Sequence, residues 1–282
     1  MYEIEPGLVD RVVRLLAGRR SGLITDVDGT ISPIVAEPEL AAVLPRARAA
    51  LDGLARRLDL VAVVSGRAVA DARRLVGLEG LVYVGNHGLE VDGEVVPEAR
   101  PWVARLAAVL DQLSRQLPCP GVRIENKGIT GSIHYRRAAD PERARRQLLE
   151  IVARCALTSG LRLEEGRMVL NLLPPLRVSK GSAVRWLARE HRLQRLVYLG
   201  DDVTDAHAFA ALATLRQRGE AETLAIGVVG AETPQSVRQL ADASVPSVEA
   251  VAELLGGVLE GLRASDTMQA GAPRVRSETH GH

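Results

Sequence analysis

The sequence predicts an α/β protein: a doubly wound, mostly parallel sheet into which a smaller α+β unit is inserted. Three observations point there. Short apolar runs alternate with amphipathic helices in both outer thirds of the chain. Several of these runs break abruptly into Asp, Ser or Gly, as buried parallel strands do at the carboxyl edge where ligands bind. Between about 98 and 174 the alternation gives way to hairpins and two helices. A chain of 282 residues with 46% hydrophobic residues can supply a core to each unit. The expected division is 1–97 with 175–263 for the doubly wound core, 98–174 for the insert, and 264–282 for a disordered tail.

Each element has its reason. Apolar spacing over Val9–Leu16 predicts a helix, and Gly22-Leu-Ile-Thr-Asp26 then reads as a buried strand. Pro45–Leu58 is an amphipathic helix, and Asp59–Val64 a second strand ending in Ser65-Gly-Arg67. Ala68–Val76 is helical, and Leu81–Val84 is a third strand ending in Gly85-Asn-His-Gly88. Asp92-Gly93 predicts the turn of a hairpin over Leu89–Val96. In the insert, Trp102–Leu117 is a helix closed by Pro118 and Pro120, and Val122–Arg137 forms paired strands around Gly128–Gly131. Asp140-Pro141 opens a helix to about Ala156. Leu161–Leu173 forms a hairpin turning at Glu165-Gly166. The first pattern resumes with a helix at Ser182–Arg192, a strand at Arg195–Leu199 and a helix at Thr204–Leu212. A strand at Thr223–Val229 and helices at Pro234–Leu240 and Val248–Leu262 follow. From Ala264 the periodicity stops.

Composition narrows the function classes. Lys and Arg number 36 against 35 Asp and Glu, a near balance that argues against a general binder of nucleic acid or anionic membranes. Aromatics at 2% leave no platform for base stacking. No apolar run approaches the roughly 20 residues that span a bilayer. The first residues carry acids where a signal peptide has a basic stretch, so the expected location is cytoplasmic. The two cysteines, Cys119 and Cys155, make no disulfide framework and read as free thiols.

Asp26-Val-Asp28-Gly-Thr30 carries the strongest chemical signal. It follows a buried strand, and positions two apart in extended chain share a side. Two carboxylates in one pocket need a shared proton or a cation, and Mg²⁺ suits such oxygens together with phosphate. Gly200-Asp-Asp-Val-Thr-Asp205 follows another strand and adds Asp201, Asp202 and Asp205, more acid than a helix start requires. Ser65 stands between a strand and a helix, where its hydroxyl suits a phosphate or serves as a plain N-cap. Lys180, just before a predicted helix, could neutralise that phosphate.

Taken in order, these four elements resemble the motifs of the haloacid dehalogenase-like phosphohydrolases, and the insert resembles their larger type of cap domain. A closer resemblance is to the trehalose-6-phosphate phosphatase family. It rests on Asp26-Val-Asp-Gly-Thr-Ile-Ser-Pro-Ile34, Ser65-Gly-Arg67, Gly85-Asn-His-Gly-Leu-Glu90, Glu125-Asn-Lys-Gly128, His134-Tyr-Arg136 and Gly200-Asp-Asp-Val-Thr-Asp205. The resemblance implies Asp26 as nucleophile, Asp28 as general acid and base, and Ser65 and Lys180 as holders of the phosphoryl oxygens. It implies Mg²⁺ held by Asp26, the main-chain carbonyl of Asp28 and Asp201, with Asp202 and Asp205 nearby. Glu125, Lys127 and Arg136 match positions that hold sugar hydroxyls, and Arg67, Asn86 and His87 would border the same cleft.

The chain also departs from that family. A strand of the form Val-Leu-Glu-Val-Arg-Pro becomes Val169-Leu-Asn171-Leu-Leu173-Pro174, so an amide replaces the acidic sugar ligand. The family's Asp-Lys-Gly is Ser179-Lys180-Gly181, and its Thr-Asp-Glu is Thr204-Asp205-Ala206. Three readings follow: a trehalose 6-phosphate phosphatase, a phosphatase for another glycosyl phosphate such as that of glucosylglycerol or mannosylglycerate, or an idle sugar-phosphate-binding partner of a synthase.

Overall fold

A computed structural model describes residues 4–271 other than 36, 118–119, 167 and 232. The main sheet is built from β1 (Ser21–Thr25), β2 (Leu60–Val64), β3 (Val82–Gly85), β4 (Glu90–Val91), β5 (Glu94–Val95), β10 (Arg195–Gly200), β11 (Glu222–Val228) and β12 (Ala243–Val245). Its order is β12-β11-β10-β1-β2-β3-β4-β5. The strands from β12 to β3 are parallel, and the β4–β5 hairpin extends the β3 edge antiparallel. The chain winds from β1 outward through β2 and β3, then returns to β10 on the other flank of β1. That reversal makes the carboxyl ends of β1 and β10 a switch point, where doubly wound sheets leave a crevice.

Side-chain alternation along the strands makes two cores. Leu23, Val61, Val63, Val197 and Leu199 face one side and pack on α1 (Leu8–Leu16), α2 (Pro45–Ala55), α3 (Val69–Val76) and α9 (Val248–Gly271). Ile24, Ala62, Val64, Leu196 and Tyr198 face the other and meet α6 (Lys180–Glu190), α7 (Val203–Gln217) and α8 (Gln235–Leu240). With both faces covered, the strands are apolar throughout, which is why they read as unbroken runs.

The insert has its own sheet, in the order β6-β7-β9-β8. Its strands are β6 (Arg123–Asn126), β7 (Gly131–His134), β8 (Arg162–Gly166) and β9 (Val169–Leu173), all antiparallel. One face carries Ile133, Leu170 and Leu172 onto α4 (Val103–Gln116) and α5 (Pro141–Ser159). The other face is polar. Along it Glu125, Ser132, Asn171 and Glu164 stand in cross-strand register, one from each strand.

Several boundaries differ from expectation. Ser179 caps α6 by accepting from the Ser182 amide, so Lys180 is the first residue of that helix rather than a residue ahead of it. Glu165 and Gly166, expected in the turn, stay in β8, because Gly166 remains paired with Val169. Registering Leu163 and Leu172 outweighs the local Glu-Gly turn signal. The expected tail is helical from Ala264 to Gly271: no proline interrupts it, Ser265 Oγ donates to the Gly261 carbonyl, and Asp266 lies 3.6 Å from Arg57. The remainder of that tail, and Cys119, lie outside the described residues, while Cys155 is a buried free thiol. The short edge strand β12 carried no pattern long enough to register.

Gly181 lets α6 and α7 approach closely, since a Cβ there would collide with the His207 carbonyl oxygen. Gly181→Ala should therefore destabilise the fold by roughly 1–3 kcal/mol through overpacking. A urea denaturation midpoint equal to that of the parent would refute this reading of the helix contact.

Candidate active site

Parallel adjacency assembles the site. Asp26 follows β1, Ser65 follows β2 and Asp201 follows β10, and these three strands are neighbours with β1 in the middle. The Asp26 amide continues the ladder by donating to the Leu199 carbonyl at 2.9 Å. Residues 39 and 175 positions from Asp26 along the chain thus meet it at one edge. Gly29, at φ 84, turns the loop beneath Asp201, whose carboxylate occupies the space a Cβ would need. Thr30 Oγ1 donates to Asp201 Oδ1 at 3.1 Å.

Lys180, almost completely buried, lies 2.8 Å from Asp26 Oδ1 and 2.8 Å from Asp205 Oδ1. Burial opposes its charge, yet Asp205 and Asp26 hold its pKa above the usual lysine value. Asp205 is saturated: Tyr198 OH donates to Oδ1 at 2.6 Å, and the amides of Asp201 and Asp202 donate to Oδ2 at 3.1 and 3.0 Å. It anchors the lysine and the loop, and its carboxylate also lies in one cluster with Asp26 and Asp201. Asp202 is exposed at the start of α7, outside the cluster formed by Asp26, Asp201 and Asp205.

One lysine does not balance three carboxylates whose ligand atoms lie within 4.8 Å of one another. Burial, with Asp205 and Asp201, raises the Asp26 pKa well above its ordinary value despite Lys180. Burial and Asp205 raise Asp201 to about 7. Excess buried negative charge with oxygen donors is what a hard divalent cation neutralises. The donor set fits such an ion, with Asp26 and Asp201 as its side-chain ligands.

Asp28 is held in a fork by Arg67, whose Nε and Nη2 donate to its two oxygens at 2.7 Å each. Arg67 Nη1 donates to Asp71 at 2.6 Å, and the Arg67 amide donates to Ser65 Oγ at 3.2 Å. Arg67, expected beside a sugar, is thus engaged with Asp28. Sequence reasoning missed Asp71, although its spacing of four from Arg67 at a helix start was a usable signal. Tyr198, buried within a strand, offered none.

Asn86 also differs from expectation. It is fully buried, accepts from Thr130 Oγ1 at 2.6 Å, and donates to Glu90 at 2.9 Å and to the Lys127 carbonyl at 3.2 Å. These bonds use both amide donors in a buried setting and tie the insert to the core. Asn86 and His87 both take left-handed backbone, φ 51 and 60. Burial, then Lys180 and Lys127, push the His87 pKa down to about 3, so its ring is neutral and packs where a Gly66 side chain would be.

On the insert, His134 lies 2.9 Å from Glu125 and, more than any other group, holds the Glu125 pKa below its ordinary value. Lys127 lies 3.9 Å from Glu125, and burial lowers its pKa. Ser132 Oγ donates to Asn171 Oδ1 at 2.8 Å. Arg136 stands apart, exposed in the turn after β7.

The doubly wound core, the inserted sheet and an aspartate pair at the switch point define the haloacid dehalogenase-like class with a cap. The family model described as Trehalose-phosphatase matches residues 24–244, and the chain belongs to that family. A trehalose-phosphate phosphatase of Mycobacterium avium (strain 104) is 38% identical over 212 residues, covering 70% of this chain and 52% of that protein. An uncharacterized glycosyl hydrolase of Mycobacterium tuberculosis is 36% identical over 214 residues, covering 71% of this chain and 16% of that protein. The chain therefore spans about half, or less, of these relatives. The C-terminal domain of the C. albicans trehalose-6-phosphate phosphatase superposes with a TM-score of 0.71 at 22% identity, covering 92% of this chain and 99% of that one. A trehalose-6-phosphate phosphatase related protein gives 0.72 at 23%, covering 87% and 99%. At these identities the superpositions establish the fold. Among the described residues no helix is long and apolar enough to cross a membrane.

Without a cation, folded Asp201 keeps until about pH 7 a proton that the unfolded chain loses near 3.8. Its raised pKa makes stability fall as pH rises through that window. A divalent cation should consequently raise the melting temperature more at pH 8 than at pH 5, and Asp201→Asn should remove most of the gain. Scanning fluorimetry with EDTA controls would read this, and an equal shift at both pH values would contradict it.

Proposed function

We propose that this protein is a Mg²⁺-dependent phosphoric monoester hydrolase that converts trehalose 6-phosphate to trehalose and inorganic phosphate. The observation that carries this reading is Asp26 at the switch point, paired with Lys180 and two residues from Asp28, in a member of the trehalose-phosphatase family. Asp26 attacks phosphorus with a carboxylate oxygen while the bond from phosphorus to the sugar oxygen breaks. The leaving oxygen takes a proton from Asp28. Asp28, now a carboxylate, takes a proton from water as that water attacks the aspartyl-phosphate, which frees phosphate and restores Asp26. Arg67 aims the Asp28 carboxylate through a two-bond fork, one bond of which gives way when that oxygen carries the proton, while Ser65 and Lys180 hold the phosphoryl oxygens. Held by Asp26, the Asp28 main-chain carbonyl and Asp201, Mg²⁺ would supply charge neutralisation at the phosphoryl group. Residues 98–174 close over the sugar, presenting Glu125, Lys127, Arg136 and Asn171 to its hydroxyls and excluding bulk water.

A second reading, another glycosyl phosphate as substrate, is favoured by Asn171, an amide whose oxygen already accepts from Ser132. The reaction suits the cytoplasm. Its substrate must be made by a glycosyl transfer, so functional coupling to a trehalose-phosphate synthase belongs to the same proposal. An idle sugar-phosphate-binding partner would need neither Asp28 nor its guanidinium clamp.

Phosphate release from trehalose 6-phosphate, sucrose 6-phosphate, glucosylglycerol phosphate, mannosylglycerate phosphate and glucose 6-phosphate tests the reading. A kcat/KM for trehalose 6-phosphate about a hundredfold above the others, about 2.7 kcal/mol of transition-state recognition, is expected. EDTA should abolish turnover, and Asp26→Asn should do so with the fold intact. Substantial activity in that variant would eliminate Asp26 as nucleophile, whereas a flat substrate profile would overturn the sugar assignment alone. Asn171→Glu should lower KM for trehalose 6-phosphate, because a carboxylate accepts a sugar hydroxyl more strongly than an amide does. A raised KM would favour the second reading.

A further inference from the structure

A cavity of about 430 Å³ lies beside the catalytic edge, with Lys180 and His87 on its wall. Both units line it: Arg162 and Glu164 from β8, Arg177 from the segment before α6, Arg185 from α6 and His207 from α7. Asp26, Asp28, Ser65 and Asp201 do not. Among the described residues Glu164 is the only carboxylate on its walls, and it is spent on Arg162 at 2.9 Å. Arg177 and Arg185 have no hydrogen-bond or ion-pair partner among the described residues. Arg162 donates through Nη1 to the Leu176 carbonyl at 3.0 Å, yet its Nε is buried with no acceptor.

A buried donor without an acceptor is costly, and two unengaged guanidinium groups facing one cavity repel each other unless an anion joins them. Guanidinium groups match phosphate oxygens in geometry as well as charge. We propose that this cavity is a second anion site that binds a phosphate dianion, separate from the position where the phosphoryl group is transferred. A phosphate there would bridge β8 of the cap to α6 of the core, holding the two together and slowing product release. The dianion could be free inorganic phosphate or the phosphate of a sugar ester, since the volume accommodates a small ligand. The site stands independently of the sugar assignment and uses the activity proposed above only as one of two readouts.

Calorimetric titration of the full-length Asp26→Asn protein with inorganic phosphate, then with glucose 6-phosphate, would count the sites without turnover. Binding beyond one equivalent is expected for at least one of the two titrants, and whichever it is identifies the source of the dianion. Arg177→Gln/Arg185→Gln in the same background should remove the second equivalent, and each single substitution should weaken it about tenfold, the scale of one charge-assisted hydrogen bond. Thermal melting would verify that these substitutions, one exposed and one half-buried, leave the fold intact. In the active protein assayed with p-nitrophenyl phosphate, inorganic phosphate should lower kcat as well as raise KM, and the double variant should keep only the effect on KM. One equivalent of both titrants in the Asp26→Asn protein, or a second equivalent that survives the double substitution, would overturn the proposal. Absent turnover of p-nitrophenyl phosphate would count against the hydrolase reading and leave the calorimetric result to decide the site.

Discussion

Everything at the carboxyl edge depends on Lys180 standing between Asp26 and Asp205 in a buried setting. A charge out of water is tolerated only with partners at hydrogen-bond distance, and removing one partner of such a set typically costs several kcal/mol. Here Lys180 has both aspartates at 2.8 Å, and Asp205 has Tyr198 and two backbone amides as further donors. The network fixes the first turn of α7 against β10 and aims the first turn of α6 at β1. It still leaves Asp26 and Asp201 with more negative charge than the protein balances, as their raised pKa values register. The fold thus holds uncompensated buried charge at the crevice the sheet topology creates, and a cation or a substrate phosphoryl group with its cation would relieve it.

The link between the units is built as carefully as the catalytic edge. Asn86 spends both of its amide N–H donors on Glu90 and the Lys127 carbonyl, and its oxygen accepts from Thr130. Ile129, Leu89 and Ala99 close a small apolar cluster around the same joint, with Trp102 and Val178 packed against it. Left-handed backbone at both Asn86 and His87 is unusual for residues with side chains, and it persists because these contacts determine it. The consequence is local: the 127–130 loop is pinned to the core, and Lys127 is delivered toward the cleft that Arg67 and Asp28 border. Elsewhere the cap meets the core through the bond from Arg162 to the Leu176 carbonyl and through exposed ion pairs, Arg123 with Glu39 and Arg137 with Glu37. Such pairs contribute little and are screened by salt. A joint firm at Asn86 and soft at its rim suits a cap that rotates about one end.

The parts of this arrangement that were legible in the sequence share a physical cause. A parallel strand buried on both faces is an unbroken apolar run, and its end is abrupt, so Asp26, Ser65 and Asp201 announced themselves as residues at strand ends. Their adjacency followed from topology. What stayed hidden depended on contacts between distant segments. Asn86 was expected at the cleft from the family resemblance, and only the position of Thr130 reveals how its amide is engaged. Asp205 looked like a metal ligand because it is an acid near acids, and only Tyr198 and Lys180 reveal what else its carboxylate holds. Lys180 itself was placed ahead of a helix that in fact begins with it, since Ser179 and Ser182 cap each other across it.

The polar row across the cap sheet shows how a single departure in sequence acquires meaning from register. Glu125, Ser132, Asn171 and Glu164 lie side by side because β6, β7, β9 and β8 pair in that order. Cross-strand neighbours stand within about 5 Å, so a carboxylate in place of Asn171 would face Glu164 directly and Glu125 one strand further on. Like charges placed directly opposite are destabilising unless a ligand or a cation separates them. Asn171 removes that repulsion and lets Ser132 hold the amide in a defined orientation. An acid at the centre of the row would bind a hydroxyl more tightly but would need that hydroxyl to be stable. The amide forgoes that tighter acceptance for a row that is settled when empty.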